Sequence, residues 1–189
     1  VRAFADFTQP NNTALLRLGN LADTTNPRGT GNDAPGTLVG NAGQNTLTGR
    51  GGDDQINGNG GADRLIGNTG RDTLVGGTGD DIFVLTAVAD SRAGREARDF
   101  INGFTHGQDQ LDLSAIDANR YVSGEQDWNF ISNRAFDGDG AASAGQLRYF
   151  TFGGGNYNIV EADLDGDGLA DMQVFVNLTN YMTRDDFIL

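Results

Sequence analysis

The sequence predicts an all-β protein, a parallel β-roll of nonapeptide repeats followed by a small antiparallel β-sandwich cap. Three observations carry that expectation. Glycine is concentrated: 15 of the 29 glycines fall between Gly31 and Gly79, where they recur with a period of nine. Each nonapeptide carries one large apolar residue at a fixed place. Further along, the glycine thins and stretches of alternating polar and apolar residues take over.

Residues 1–28 do not repeat. They read as the end of an upstream module or as a linker running through Asn26-Pro27-Arg28-Gly29, and a chain that opens on Val1 reads as a piece of a longer protein. The roll is expected over residues 29–90. Its units are 40–48 (GNAGQNTLT), 49–57 (GRGGDDQIN), 58–66 (GNGGADRLI), 67–75 (GNTGRDTLV) and 76–84 (GGTGDDIFV), with 31–39 (GNDAPGTLV) as a degraded sixth. Position eight is always apolar: Leu38, Leu47, Ile56, Leu65, Leu74, Phe83. With its two neighbours it forms a very short strand with one core residue, and the six preceding residues make a turn that needs positive φ. Two units then complete one coil of a flattened roll, and each turn stacks on the turn 18 residues later.

That stacking sets the chemistry. Position six reads Asn45, Asp54, Asp63, Asp72 and Asp81, and stacked turns lie about 4.8 Å apart. Two carboxylates about 5 Å apart at an effective dielectric of about 20 repel by roughly 3 kcal/mol, against a domain stability of only about 5–15 kcal/mol. A divalent cation between turns reverses the sign. Two aspartates and several turn carbonyls supply the all-oxygen set of about six ligands that calcium accepts. The expected ligands are therefore the position-six residues with Gly49, Gly51, Gly58, Gly60, Gly67, Thr69, Gly76 and Thr78 on the turns, holding several calcium ions. A flexible glycine linker would not keep an apolar residue at every ninth position, and no GK[ST] follows a strand as a phosphate loop requires.

These units resemble the GGxGxDxUx repeat of RTX proteins. Beyond Leu85, adding nine to Asp81 gives Asp90 and then Asp99. The run through Asp90, Arg98-Asp99-Phe100-Ile101 and Asp109-Gln110-Leu111-Asp112-Leu113 resembles the C-terminal domain of serralysin-type metalloproteases, also found in some mannuronan epimerases and other exported enzymes. The resemblance covers about residues 29–189. It implies calcium ligation at Asp90, Asp99 and Asp109, with surface turn residues as the alternative. It also implies secretion through a type I exporter that reads Asp186-Phe187-Ile188-Leu189, a tail that otherwise reads as an edge strand. By the same analogy, the chain threads outward unfolded and folds on extracellular calcium.

The C-terminal domain, residues 91–189, alternates over 146–152, 156–162 and 172–178, which predicts antiparallel strands with Tyr149, Tyr157, Ile159, Val174 and Val176 inward. They are expected to cover the last coil of the roll. Between two of them, Asp163, Asp165, Asp167, Gly168 and Asp171 form a DxDxDGxxD pattern, whose oxygens converge about a glycine bend. Position twelve is Val174, not the glutamate of an EF-hand, so the stretch fits a further calcium site or a bare turn. Asp137-Gly138-Asp139-Gly140 reads as a surface loop.

Composition narrows function. Acids number 26 against 13 basic residues; only Glu96, Glu125 and Glu161 are glutamate, and every basic residue is arginine. Short aspartates suit turns and hard cations, and a net charge of −13 makes nucleic acid a poor partner. The absence of cysteine removes disulfides and thiolate sites, leaving a metal as the staple of an extracellular protein. No apolar run approaches the roughly 20 residues that span a bilayer, so membrane insertion is not expected. A zinc helix of the HExxH type is missing, and the single histidine, His106, lies in a glycine-flanked turn, so this fragment is not expected to be an enzyme. The rival class is a module that holds an acidic polysaccharide such as alginate through Arg50, Arg64 and Arg71, aided by Tyr121 or Trp128.

Overall fold

A nine-residue unit with one inward side chain can bury that side chain only by stacking on copies of itself, and the computed structural model shows that stack. It describes residues 7–8, 15–22, 24–124, 126–152, 157–178 and 181–189. Parts of the 1–28 segment, and residue 156 of the strand expected over 156–162, lie outside the described residues. The roll comprises β1 (Phe7–Thr8), β2 (Leu15–Arg17), β3 (Arg28–Thr30), β4 (Thr37–Val39), β5 (Thr46–Gly51), β6 (Gln55–Gly60), β7 (Arg64–Thr69), β8 (Thr73–Thr78) and β9 (Ile82–Val84). The chain continues through β10 (Asp99–Asn102), β11 (Gln110–Asp112), β12 (Asn129–Ser132), β13 (Gln146–Phe152), β14 (Tyr157–Asp163), β15 (Met172–Asn177) and β16 (Phe187–Ile188). No α-helix occurs among the described residues.

Odd and even strands of the roll separate into two sheets. The first runs β1-β3-β5-β7-β9-β11-β16 and the second β12-β13-β14-β15-β10-β8-β6-β4-β2. Register follows the period: Thr46 lies opposite Arg64, and Gln55 opposite Thr73. Side chains at position eight therefore align into columns. Leu47, Leu65, Phe83, Leu111 and Phe187 pair in succession along one sheet, and Leu16, Leu38, Ile56, Leu74, Ile101 and Val176 along the other. Each of these residues is at most 2% exposed, and all belong to one buried cluster, which Val176 and Phe187 enter from the C-terminal strands. Full burial of such a side chain contributes about 1.5–3 kcal/mol, so the columns are the main adhesive of the roll.

Three features go beyond the sequence reading. Strands β5 to β8 are six residues long, because the ladder continues from position seven into position three of the next unit. The backbone bends at position two in the left-handed region, at Arg50 (φ 88°), Asn59 (73°) and Asn68 (61°); Asn tolerates that region and Arg does so at a cost. The sheets also run across both expected domain divisions: β2 pairs with β4, and β10 pairs with β8 on one side and β15 on the other. The antiparallel set β13, β14 and β15 thus joins the roll edge to edge, and its first and last residues match the expected alternating stretches to within one position; Tyr157, expected inward, is only half-buried and packs against Phe175, while Val160 and Ala162 carry β14 into the core.

Candidate metal centre

The turns carry position six to the two long edges of the roll, where the side chains stack as ladders. On one edge stand Asn45, Asp63, Asp81 and Asp109; the backbone N–H of each donates to Oδ1 of the next at 2.6, 2.9 and 2.9 Å. On the other stand Gly36, Asp54, Asp72 and Asp99, joined by the same bond at 2.8 Å each time. One carboxylate oxygen of each aspartate rung is thereby fixed by the coil beneath it. At four of them the other is not. Oδ2 of Asp54, Asp63, Asp72 and Asp81 is buried without a hydrogen-bond partner, and the four residues are at most 2% exposed.

Leaving one anionic oxygen buried and unpartnered is costly. Burial pushes Asp63 and Asp72 up to about 7 and Asp54 and Asp81 up to about 6, from 3.8; the backbone N–H that each accepts opposes the rise, and neighbouring aspartates add to it. Asp99 is pushed by burial to about 9, and Asp109 is raised for the same reason.

Other oxygens converge on these orphans. A Cβ placed on Gly49, Gly58, Gly67 or Gly76 would collide with Oδ2 of Asp54, Asp63, Asp72 or Asp81 respectively, and on Gly49 and Gly58 it would also meet the carbonyl oxygen of Gly67 or Gly76 in the next coil. Position one is glycine because a carboxylate and a carbonyl from successive coils crowd the space a side chain would fill. Position three stacks likewise, Gly51 on Thr69 and Gly60 on Thr78. Asp54, Asp63, Asp72 and Asp81, with these turn residues, fit a hard divalent cation: the donors are all oxygen, and four of them lack any other partner.

Asn45 differs. Its Oδ1 accepts from Asn41 N at 2.7 Å and its Nδ2 donates to Asn41 Oδ1 at 2.9 Å. The amide satisfies itself within the turn, and Asn59 Nδ2 donates to the Gly40 carbonyl at 2.8 Å. Asp90 stands on neither ladder: its Oδ2 accepts from Thr86 N, Thr86 Oγ1 and Ala87 N at 2.7, 2.8 and 3.0 Å, while Asp99 takes the rung above Asp72. The register of nine therefore breaks after Asp81, because the chain loops out and returns 27 residues past Asp72 and 28 past Asp81. Asp109 additionally accepts from Thr105 N at 2.8 Å through Oδ2.

The DxDxDGxxD stretch is a turn whose carboxylates are already engaged. Asp163 is fully buried and accepts from Asp165 N and Gly166 N through Oδ1 and from Gly168 N through Oδ2. Asp165 and Asp167 accept from the N–H two residues on, and Asp171 accepts from Leu164 N. Oxygens of Asp163, Asp165 and Asp171 lie within 4.8 Å of one another, and the Arg120 guanidinium reaches into that cluster, 2.6 Å from Asp165 and 3.1 Å from Asp171. Nothing in the repeat signals Arg120, which comes from 45 residues upstream of Asp165.

The residues suggested for a polysaccharide face do not form one exposed set. Trp128 is 8% exposed within the core, and Arg64 pairs with the buried Asp112 at 3.0 Å; Tyr121 alone of the aromatics in that set is open, at 58%. His106 places Nδ1 2.8 and 2.9 Å from the two oxygens of Asp186, a fully buried carboxylate that sequence reading noted only as part of the tail.

Solved relatives share this architecture. The solution structure of the AlgE6R3 subunit from the Azotobacter vinelandii mannuronan C5-epimerase matches with a TM-score of 0.59 and 27% identity, over 82% of this chain and 78% of that one. The AlgE6R2 subunit of the same enzyme matches with a TM-score of 0.59 at 24% identity, over 86% and 91%. Among curated proteins, none matches. The profile described as "Peptidase M10 serralysin C terminal" matches residues 3–189, which extends the likeness seen from residue 29 almost to the start of the chain. The chain is therefore an RTX-type repeat module belonging to the serralysin C-terminal family.

Proposed function

We propose that this module binds several calcium ions along its two aspartate ladders, folds outside the cell when it does so, and carries the type I export signal of a larger secreted protein. The buried, unpartnered Oδ2 atoms of Asp54, Asp63, Asp72 and Asp81 are the observation that carries this reading. Bound between rungs, the cation supplies the positive charge that the ladders lack. The chain's own contribution is to fix one oxygen of each rung by a backbone N–H, to aim the other at the turn carbonyls, and to exclude water from both. Binding and folding are then one event: where calcium is scarce, the rungs repel and the glycines keep backbone entropy high. Each extracellular-type site, with a dissociation constant of about 0.1–1 mM, contributes only about 1–2 kcal/mol, so several act together.

The tail supports an ordered sequence of events. Phe187–Ile188 is a strand paired with β11, and Phe187 is 2% exposed, so an exporter reads the tail before the fold captures it. No helix among the described residues is long and apolar enough to cross a membrane. The test is a circular dichroism titration at pH 8: β signal rises cooperatively with calcium and falls when chelator is added, with a lower unfolding midpoint. A spectrum indifferent to chelator overturns the folding switch.

A further inference from the structure

Asp186 is a buried acid that neither aspartate ladder uses. Its side chain is fully buried just before β16, and His106, the single histidine of the chain, is the one basic residue paired with it among the described residues. Nδ1 of His106 lies 2.8 Å from Oδ1 and 2.9 Å from Oδ2; a carboxylate can only accept, so the proton belongs on Nδ1. Gly107 N donates to Oδ1 at 3.2 Å, while Thr183 N and Thr183 Oγ1 donate to Oδ2 at 2.6 and 3.3 Å. One carboxylate thus gathers donors from two segments far apart in sequence, the turn between β10 and β11 and the start of the tail.

Two side chains, more than backbone bonds, seat the strand that follows. β16 is two residues long and pairs with β11 alone, Phe187 opposite Leu111 and Ile188 opposite Asp112, with Leu113 N donating to the Ile188 carbonyl at 2.8 Å. Strands in globular proteins usually run to three residues or more. Gln110 Nε2 adds a bond to the Asp185 carbonyl at 3.1 Å in an exposed position, and Arg184 Nη1 donates to the Phe187 carbonyl within the tail itself. Phe187 is 2% exposed, its ring 5.3 Å from that of Phe130, so it anchors the tail from below while Asp186 anchors it from the side. Burying a carboxylate without its charge-bearing or ring N–H donor is costly. The seated tail therefore depends on His106, whereas in a lifted tail water reaches the same carboxylate and the dependence ends.

We propose that the His106–Asp186 pair is a latch that holds the C-terminal strand across the end of the first sheet. Closed, it lets β16 cover the edge of β11 and bury Phe187. Open, it releases residues 183–189 as a unit: the β11 edge is bared to pairing with other chains, and the C-terminus becomes a substrate for exopeptidases while the roll stays folded. His106 is a positioning residue, acting through Asp186 on the strand behind it. The turn that carries it also gives Thr105 N to the ladder residue Asp109, so latch and ladder share a segment but no side chain. The inference stands on the geometry of the pair and rests on neither the calcium nor the export reading.

The experiment is amide hydrogen exchange of the full chain by nuclear magnetic resonance, with carboxypeptidase trimming as a second readout, in a buffer where circular dichroism shows the roll folded. In H106A, exchange at Leu113 and Thr183 and the trimming rate each rise by about tenfold or more, while Arg64 and Thr73, whose N–H groups bond between coils, keep their rates. H106N, whose side-chain amide can stand where Nδ1 stands, brings both readouts back to within about threefold of the unaltered chain. Unchanged rates in H106A, an equal rise at Arg64 and Thr73, or an H106N no better than H106A overturns the latch. If H106A misfolds, the imidazole of the unaltered chain decides: an Nδ1–H that exchanges slowly with solvent supports the latch, and its absence overturns it.

Discussion

Along the roll, Asp54, Asp63, Asp72 and Asp81 each keep one buried oxygen without a partner. In the 163–171 loop, which is as dense in acid, Asp163, Asp165 and Asp171 have both oxygens bound, two of them with the help of Arg120. The difference lies in where the positive charge comes from. The loop takes its cation from another side chain of the same molecule, Arg120, so those contacts need no ion from the medium. At the four rungs Asp54, Asp63, Asp72 and Asp81 the ladders offer one backbone N–H each, which satisfies half of the carboxylate. Acid density by itself thus does not distinguish a region that needs a cation from outside the chain from one that does not; the partners of the second oxygen do.

The comparison breaks most visibly in pH. Folded-state values near 6 and 7 for the four ladder aspartates, and near 9 for Asp99, lie above the ordinary 3.8, so the fold binds protons more tightly than the unfolded chain. In chelator, stability is greatest near pH 4, falls as pH climbs through 6 and 7, and goes on falling toward 9 as Asp99 titrates. Calcium competes with those protons, so in saturating calcium the slope flattens or reverses. Urea midpoints measured at pH 5 and pH 8, with and without calcium, check this. A chelated protein that is more stable at pH 8 contradicts the ladder chemistry.

Next in size is D72N. Asp72 stands between Asp54 and Asp99 and so serves two inter-rung positions, each contributing about 1–2 kcal/mol. In calcium the variant loses about 2–4 kcal/mol. In chelator it is neutral or more stable, because a buried charge has been removed. A loss of equal size in both buffers would mean that Asp72 matters only for packing.

R120A sharpens the other side. Arg120 is about half exposed, which limits the loss to about 1 kcal/mol. That loss appears in chelator as fully as in buffer without divalent ions, and it shrinks in calcium as the cation takes over the guanidinium's place among Asp163, Asp165 and Asp171. Guanidinium chloride is unsuitable here, since it screens the pair; thermal midpoints at low salt read the effect.

How much of this the sequence held depends on whether the geometry is local. The rungs at Asp54, Asp63, Asp72 and Asp81 were legible because stacking at a fixed period forces every unit to repeat the same residue at the same place. The alternation that marked β13, β14 and β15 is local too. Asp90 and Asp99 were both read as candidates, but that Asp99 and not Asp90 takes the rung above Asp72 was not legible, since it depends on how far the 85–98 segment loops out before it rejoins the sheet. Arg120 was invisible for the same reason: its partners are distant in sequence, and one arginine among 13 has no periodic neighbour to mark it. Nor could the period show that Asn45, which occupies an aspartate position, closes on Asn41.

That last point yields the smallest and most discriminating change, N45D. In the native turn the Asn45 amide donates to Asn41 Oδ1; a carboxylate in its place would set two oxygens against each other. Without calcium the variant therefore loses about 1 kcal/mol, the net worth of one hydrogen bond with its partner left unsatisfied. With calcium, a carboxylate now faces Asp63 across the coil step, and one more ion per chain binds, recovering about 1–2 kcal/mol. Equilibrium dialysis counts the ions, and calorimetry in the two buffers gives the opposite signs. If the count stays unchanged while D72N lowers it, the Gly40 carbonyl held by Asn59 Nδ2 is what closes this end of the ladder, and the identity of the rung residue is secondary to the occupied turn.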